Sequence, residues 1–412
     1  MRRHNSSSSR HPIARKTASR CPACGARAGA EVRRFADFPT FLFPMERQVA
    51  RKVARQELVL HDCSHCGHLY QPRVDSALLD VIYKEHYRNY PYDGSEAMQG
   101  PYREPFNRIF ELLVHTQRLP EGARLLEIGC SRPENLRPFS MQGFDCVGVD
   151  PSPLAKQNSG GSRISMYSGY YETTALPAPF DIIVSRFNLE HIVSPDRMLR
   201  KARKELAPGG LLVIQVPNVE YYVSRRQPVF VAHEHIQYFS MCSLYALFAR
   251  FGFQLVTGYH FEQPSIIACF TRMGRQATTA LPARPSFGSY FAEITRRRAK
   301  VSTYLQAPGR VVLYGCGLAL FSILPGLSSR GLKEIVVVDD NPAYEGAYVP
   351  SYDIPVRNMH PALLDGRDTV VLTLNPLYHN QVLAKLRSTG RRLRVVCLGE
   401  DGVRELRLSS RN

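Results

Sequence analysis

Twice along this chain, short apolar runs alternate with helical stretches, and that rhythm confines most of it to layered α/β folds. From Ala123 the strand candidates are Arg124–Ile128, Cys146–Val149, Asp181–Ser185 and Leu211–Val216, with a helical stretch at Pro195–Leu206 and a Pro208-Gly209-Gly210 turn after it. A second series follows at Val311–Tyr314, Ile335–Val338, Val370–Leu374 and Arg394–Leu398. Strands separated by helices imply parallel βαβ units. Gln254–Tyr259 and Ser265–Thr271 are close enough to pair as a hairpin. At 412 residues, and roughly 150 per domain, two or three domains are expected. The reading divides them into a basic tail at 1–18, a cysteine-rich module at 19–75, a first Rossmann-like domain at 76–273, a linker at 274–289 and a second Rossmann-like domain at 290–412. Leu78–Pro120 reads as mainly helical and carries Tyr83, Tyr87, Tyr90 and Tyr92.

Four of the 10 cysteines fall into two pairs, Cys21-Pro-Ala-Cys24-Gly25 and Cys63-Ser-His-Cys66-Gly67. A metal knuckle needs a tight turn that points two thiolates at one ion, and glycine after the second cysteine permits it. Two knuckles supply a closed tetrahedral zinc site, structural rather than catalytic. A redox dithiol is the rival, and His65 or His68 is close enough to replace one sulfur. The remaining six cysteines stand singly, mostly in apolar runs, as small buried hydrophobes do. Free thiols in this number point to a reducing, cytoplasmic setting. No apolar run reaches 18 residues, and the tail lacks the apolar region of a secretory signal.

Charge admits another class. Lys and Arg number 53 against 36 Asp and Glu, a net +17, which with a zinc module suggests nucleic-acid binding. Six of those charges (Arg2, Arg3, Arg10, Arg15, Lys16, Arg20) lie in the tail. Between the knuckles, Phe35, Phe38, Phe41, Leu42 and Phe43 suit docking on a neighbouring domain, which argues against a nucleic-acid surface. Arg296-Arg297-Arg298 reads as a solvated face of a helix over Tyr290–Leu305.

The chemistry concentrates in three places. Glu127-Ile128-Gly129-Cys130-Ser131 runs from a strand into a loop, and Asp150 closes the next strand 21 residues after Gly129. Glycine lets the backbone approach a nucleoside, and an acid at the second strand end accepts ribose hydroxyls. Without G-x-G-x-x-G, this layout matches class I S-adenosylmethionine-dependent methyltransferases better than dinucleotide enzymes. Ser131-Arg132-Pro133-Glu134 replaces the usual further glycines. Arg132 suits a cofactor carboxylate, and its bulk equally suits weaker binding. The second place is Asn188-Leu189-Glu190-His191, just after the fourth strand. The third is His233-Glu234-His235, which offers metal ligands without the i, i+4 spacing of a helical zinc site.

Together these segments make the chain resemble the sugar C-methyltransferases, which methylate nucleotide-linked keto-deoxy sugars. The resemblance rests on the CxxCG pairs, Glu127-Ile-Gly129, Leu189-Glu190-His191, Glu234-His235…Tyr238-Phe239-Ser240, Tyr314-Gly315-Cys316-Gly317, Val338-Asp339-Asp340-Asn341-Pro342 and Ile354-Pro355-Val356. It implies S-adenosylmethionine as cofactor, held by Glu127, Gly129, Cys130, Ser131, Asp150 and Asn188. It implies His235 as base, Glu234 orienting it or holding the sugar, and His191 hydrogen-bonding the ketone or enolate oxygen. Tyr90, Tyr92 and His233 are the substrate candidates, and Cys21, Cys24, Cys63 and Cys66 the zinc ligands. The family often has tyrosine three residues before the base, where this chain has Ala232. In the family the C-terminal unit helps hold the nucleotide-sugar; Asp339, Asp340 and Asn341 serve either that or a turn before Pro342. Methylation at oxygen or nitrogen of another small molecule, and a non-catalytic binding role, are the alternatives.

Overall fold

The computed structural model describes residues 19–86, 96–117, 119, 121–152, 163–227, 230–260, 264–273, 285–306, 308–324 and 335–409. The tail at 1–18, Tyr87, Tyr90, Tyr92 and most of the expected linker therefore lie outside the described residues.

Three sheets organise the rest. The N-terminal strands β1 (Ala30–Pro39), β2 (Arg55–Asp62) and β3 (Leu69–Tyr70) form an antiparallel sheet. The next series is β4 (Arg124–Ile128), β5 (Asp145–Asp150), β6 (Ile164–Ser168), β7 (Phe180–Arg186) and β8 (Leu206–Pro217). Two-residue β9 (Gln237–Tyr238) then leaves this series and pairs with β3, completing the first sheet in the order β1-β2-β3-β9. β10 (Phe253–Tyr259) and β11 (Ser265–Arg272) form the expected hairpin, and β11 packs antiparallel on β8.

The middle sheet runs β10-β11-β8-β7-β4-β5-β6. The pairs β8–β7, β7–β4, β4–β5 and β5–β6 are all parallel. This is the class I methyltransferase arrangement, with one antiparallel strand inserted near an edge. Its central strands β4, β7 and β8 are largely apolar because both faces are covered. Leu126, Ile128, Val147, Ile183, Leu212 and Ile214 fill one core, while Leu125, Cys146, Ile182, Val184, Leu211 and Val213 fill the other. That split follows from the two-residue period of a strand. The third sheet contains β12 (Val311–Tyr314), β13 (Ile335–Asp339), β14 (Tyr348–Val349), β15 (Ile354–Asn358), β16 (Thr369–Leu372), β17 (Leu393–Gly399) and β18 (Gly402–Leu408). Its order is β14-β15-β13-β12-β16-β17-β18, parallel at the centre with an antiparallel strand at each edge.

Several expectations change. β8 begins at Leu206, so Pro208-Gly209-Gly210 is an irregularity within a strand and not a separating turn. The helix expected from Tyr290 begins at Phe287, where Phe287 itself is fully buried, so it takes the last three residues assigned to the linker. Arg297 is not solvated. It is 7% exposed. Its guanidinium donates to the carbonyls of Arg226 (3.2 Å), Gly399 (2.7 Å) and Glu400 (2.8 Å) and to Glu293 Oε1 (2.8 Å). A helical period brings one member of an arginine run inward, and here carbonyls from two parts of the chain meet it.

No described helix is long and apolar enough to cross a membrane. The apolar stretch between the knuckles docks as expected: Phe38 and Leu42 share a cluster with Val231, Ala232, Tyr238, Phe291 and Leu320. Replacing Arg297 by Met keeps the packing of its stem and leaves three carbonyls without their charged donor. Urea denaturation should show a loss of about 2–4 kcal/mol, against about 0.5 kcal/mol or less for exposed Arg296→Met. Equal midpoints for the two variants would remove the staple from the account of stability.

Candidate active site and metal centre

At the carboxyl end of β4 the chain turns through Gly129. Its φ is +76°, and a Cβ there would lie 2.6 Å from the Asn188 side chain, so only glycine fits. Ser131 (φ 60°) and Phe187 (φ 46°) are also left-handed, one after β4 and the other after β7. Backbone held this way in non-glycine residues clusters at functional sites. Asp150 is 9% exposed and receives the N–H of Ser131 (2.9 Å) and of Ser152 (2.7 Å). Burial raises its carboxyl above the ordinary range despite those bonds. Glu127 is buried and accepts from Arg186 Nε at 2.7 Å; its other oxygen has no partner among the described residues. Arg186, which the sequence reading passed over, lies over the rings of Phe106 and Phe139. Its signal was a lone arginine ending an otherwise apolar strand.

Of the six expected cofactor residues, Cys130 departs in orientation. Its side chain is fully buried, and its Sγ lies 2.6 Å from where a Cβ on Gly148 would be. It faces the core, and only its backbone lines the loop. Pro133 opens a short 3-10 turn at its first positions, as proline can, while Arg132 is exposed.

The third sheet repeats the arrangement. Gly315 has φ +111°, and a Cβ on it would meet Leu374 at 2.7 Å. Asp339 receives Cys316 N–H (2.7 Å) and Asn341 N–H (2.9 Å), while Asp340 receives Tyr314 O–H (2.9 Å). Asn341 caps the turn at Pro342 by accepting from Ala343 N–H at 3.0 Å. Asp339 and Asn341 thus have partners that form the turn, while Asp340 pairs with Tyr314 and with Lys385.

The histidine segment sits where β9 crosses to the N-terminal sheet. His191 and His235 lie with ring centroids 4.8 Å apart, edge to face. Among the described residues three links join their loops: Ile236 N–H donates to Glu190 O (2.8 Å), His191 Nδ1 lies 3.0 Å from Glu234 O, and Gln237 Nε2 donates to Ile192 O (3.4 Å). A carbonyl can only accept, so Nδ1 carries the proton and neutral His191 presents Nε2 as a lone pair. This differs from the expectation that His191 donates to a ketone oxygen. Burial pushes His191 down to about 4, and His235 well below its ordinary value, with His191 adding to the fall. Burial raises Glu190 to about 8 and Glu234 to about 7. One oxygen of each carboxylate finds no partner among the described residues. Glu190 is the second group sequence reasoning left without a role, although it stood in a quoted motif.

His233 does not join them. It is 5% exposed, its Nε2 faces Phe38 O at 3.3 Å, and its ring lies 6.0 Å from that of Phe38. It packs against β1.

The four paired cysteines converge. Their sulfurs lie within 4.8 Å of one another, with Cys21–Cys66 at 3.8 Å and Cys24–Cys63 at 3.6 Å. Zinc–sulfur bonds of about 2.3 Å require tetrahedral edges of about 3.8 Å, so this donor set fits the ion. His65 is exposed, and His68 Nε2 pairs with Gln237 Oε1 at 2.6 Å, so neither histidine stands in for a sulfur. The other six cysteines are buried.

The second knuckle continues into β3 and then Gln71. Its side-chain amide reaches the carbonyls of Ala232 (3.1 Å), His233 (3.0 Å) and His235 (2.8 Å), and its N–H donates to Ile236 O (2.9 Å). Gln71→Leu should leave those acceptors unpaired at a cost of about 1–3 kcal/mol. Hydrogen exchange at 233–236 should accelerate more than in the middle sheet; uniform protection would exclude this clamp.

Comparison with known proteins agrees with the sheet. Residues 79–257 match the family described as a methyltransferase domain. A ubiquinone biosynthesis O-methyltransferase of Caulobacter sp. is 32% identical over 24% of this chain and 42% of its own length. The C-methyltransferase NovU of Streptomyces niveus is 27% identical over 52% of this chain and 48% of its own. The chain thus spans about half the length of the curated relatives it matches. The CcbJ methyltransferase of Streptomyces caelestis is similar in structure at 15% identity and a TM-score of 0.33, over 40% of this chain and 89% of that one. By its sheet order the middle of this chain has the class I methyltransferase α/β fold, and residues 79–257 are similar to the methyltransferase-domain family.

Proposed function

We propose that the protein transfers a methyl group from S-adenosylmethionine to a carbon beside a ketone, in a nucleotide-linked keto-deoxy sugar or a similar small molecule. The observation that carries this reading is the half-buried His191–His235 pair beside the buried Glu190 carboxyl, in segments that follow β7 and β8 of a methyltransferase sheet. The cofactor supplies a sulfonium methyl that needs no activation. Gly129, Ser131, Asp150 and Asn188 would hold it: the glycine cradle fits, and Asp150 retains acceptor capacity beyond its two backbone bonds. Glu127 acts through Arg186, and Cys130 contributes only its backbone.

A carbon nucleophile must first lose a proton, and the enolate oxygen that develops needs a donor. His235 is the base. Glu234 holds His191 through its carbonyl and borders the base in sequence. Because His191 presents a lone pair, the donor role passes to the protonated carboxyl of Glu190, whose high pKa comes from burial. Tyr90 and Tyr92, which lie outside the described residues, remain substrate candidates, and the third domain is the proposed support for a nucleotide-sugar. The similarity to NovU favours carbon as acceptor. The similarity to ubiquinone O-methyltransferases favours oxygen, and that is the second reading.

Incubation with S-adenosylmethionine and a 4-keto sugar nucleotide should give a product heavier by one CH2, with its new methyl resonance in the C-methyl range. A resonance in the O-methyl range would replace the first reading by the second. Without cofactor, the ketone's neighbouring proton should exchange into heavy water, and His235→Ala should slow this about 10²–10⁴-fold. Undiminished exchange would remove His235 as base. Failure of the folded protein to bind S-adenosylmethionine in calorimetry would sink both readings and leave a binding role.

The four cysteines are proposed to hold one structural zinc, which would contribute folding free energy to the N-terminal sheet. Elemental analysis should find it. Cys24→Ser should lower zinc content and raise hydrogen exchange at 236–238, because β3 and β9 pair directly. Full zinc occupancy in that variant would refute the assignment.

A further inference from the structure

We infer that Glu190, His191 and His235 form a second metal centre, which binds a divalent transition cation through one carboxylate and two imidazole nitrogens. One ligand atom from each residue lies within 4.8 Å of the others, and His191 Nε2 is 3.9 Å from Glu190 Oε1. With bonds of about 2.0–2.2 Å, a tetrahedral ion needs ligand edges of about 3.3–3.6 Å. Small side-chain rotations about fixed backbones close that difference.

Three observations favour the cation. The first is tautomer control. The Glu234 carbonyl takes the proton of His191 Nδ1, leaving the Nε2 lone pair toward Glu190. A hydrogen bond on the far nitrogen is how proteins orient metal-binding imidazoles. The second is an unpaired carboxyl oxygen: the Glu190 side chain is 3% exposed, and its Oε2 has no partner among the described residues. In the metal-free protein that carboxyl keeps its proton, and a divalent ion displaces the proton and supplies the counter-charge that a buried carboxylate needs. The third is rigidity. Ile236 N–H to Glu190 O, together with the Gln71 amide on His235 O, fixes both ligand-bearing loops before any ion arrives.

Two imidazoles and one carboxylate form the donor set of open metal centres, in which the remaining positions take water or a substrate oxygen. The imidazoles are only half-buried, so a small oxygen ligand has a side of approach. The sulfur site differs in donors and is closed, so the two centres select different metals. On the reading that His235 is a base, a filled centre occupies its lone pair, and metal binding and proton abstraction exclude each other. Metal binding itself does not depend on that reading.

The test uses the full chain, with zinc retained in the four-cysteine site and loosely held metal removed by a weak chelator. Cobalt(II) is then titrated by calorimetry and absorption spectroscopy. One further equivalent should bind, with weak ligand-field bands and no thiolate-to-cobalt charge transfer. Glu190→Gln preserves shape, and it and His191→Ala should each weaken that equivalent at least about tenfold. Exposed His115→Ala should leave it unchanged. Zinc content and melting temperature matching wild type would show that the variants fold. No further equivalent, a thiolate charge-transfer band, or undiminished affinity in folded Glu190→Gln would each overturn the inference. Neither substrate nor S-adenosylmethionine enters the measurement, so failure of the methyl-transfer reading leaves its outcome intact.

Discussion

Two residue pairs, Leu69 with Tyr238 and Tyr70 with Gln237, join the cysteine-rich sheet to the loop that carries His235. With the His233–Phe38 contact, this join ties the N-terminal part to the histidine segment. The knuckle at Cys63 and Cys66 sets the entry to β3, β3 sets Gln71, and Gln71 holds three carbonyls of the histidine segment. The Tyr238 hydroxyl closes the same loop from within, 3.0 Å from Ala232 O. Zinc bound at the sulfurs would therefore act on the site by holding backbone, without touching a substrate.

Much of the fold was legible because it rests on local patterns. Buried parallel strands must be apolar on both faces, so β4, β7, β12 and β16 stood out as short runs of Leu, Ile and Val. What stayed hidden depends on partners distant in sequence. β9 has two residues, too few for a period, and exists because β3 is there to meet it. β1 (Ala-Glu-Val-Arg-Arg-Phe-Ala-Asp-Phe-Pro) carries four charges in ten residues and becomes a strand through pairing with β2. Arg297 looked like one charge in a solvated run, because nothing local tells that carbonyls from Arg226, Gly399 and Glu400 converge on it.

The same division holds at the site. Motif spacing brought Cys21, Cys24, Cys63 and Cys66 into one set, and the structure puts their sulfurs together. Adjacency in sequence misled for His233, which faces β1 while His235, two residues on, faces His191. Roles that depend on tautomer or burial, those of His191 and Glu190, could not be read from residue types. They follow from one carbonyl and from the exclusion of water.

The β3–β9 join also bears on how the chain is made. His68 and Gln237, which meet at its edge, are 169 positions apart. A ribosome releases β1, β2 and β3 long before β9, so the young sheet presents an open edge while the middle domain is still emerging. Open edges invite pairing with other chains, and contacts this distant in sequence form late. Completion of the first module thus awaits the last third of the second, and the segment that carries His235 is the piece that seals it.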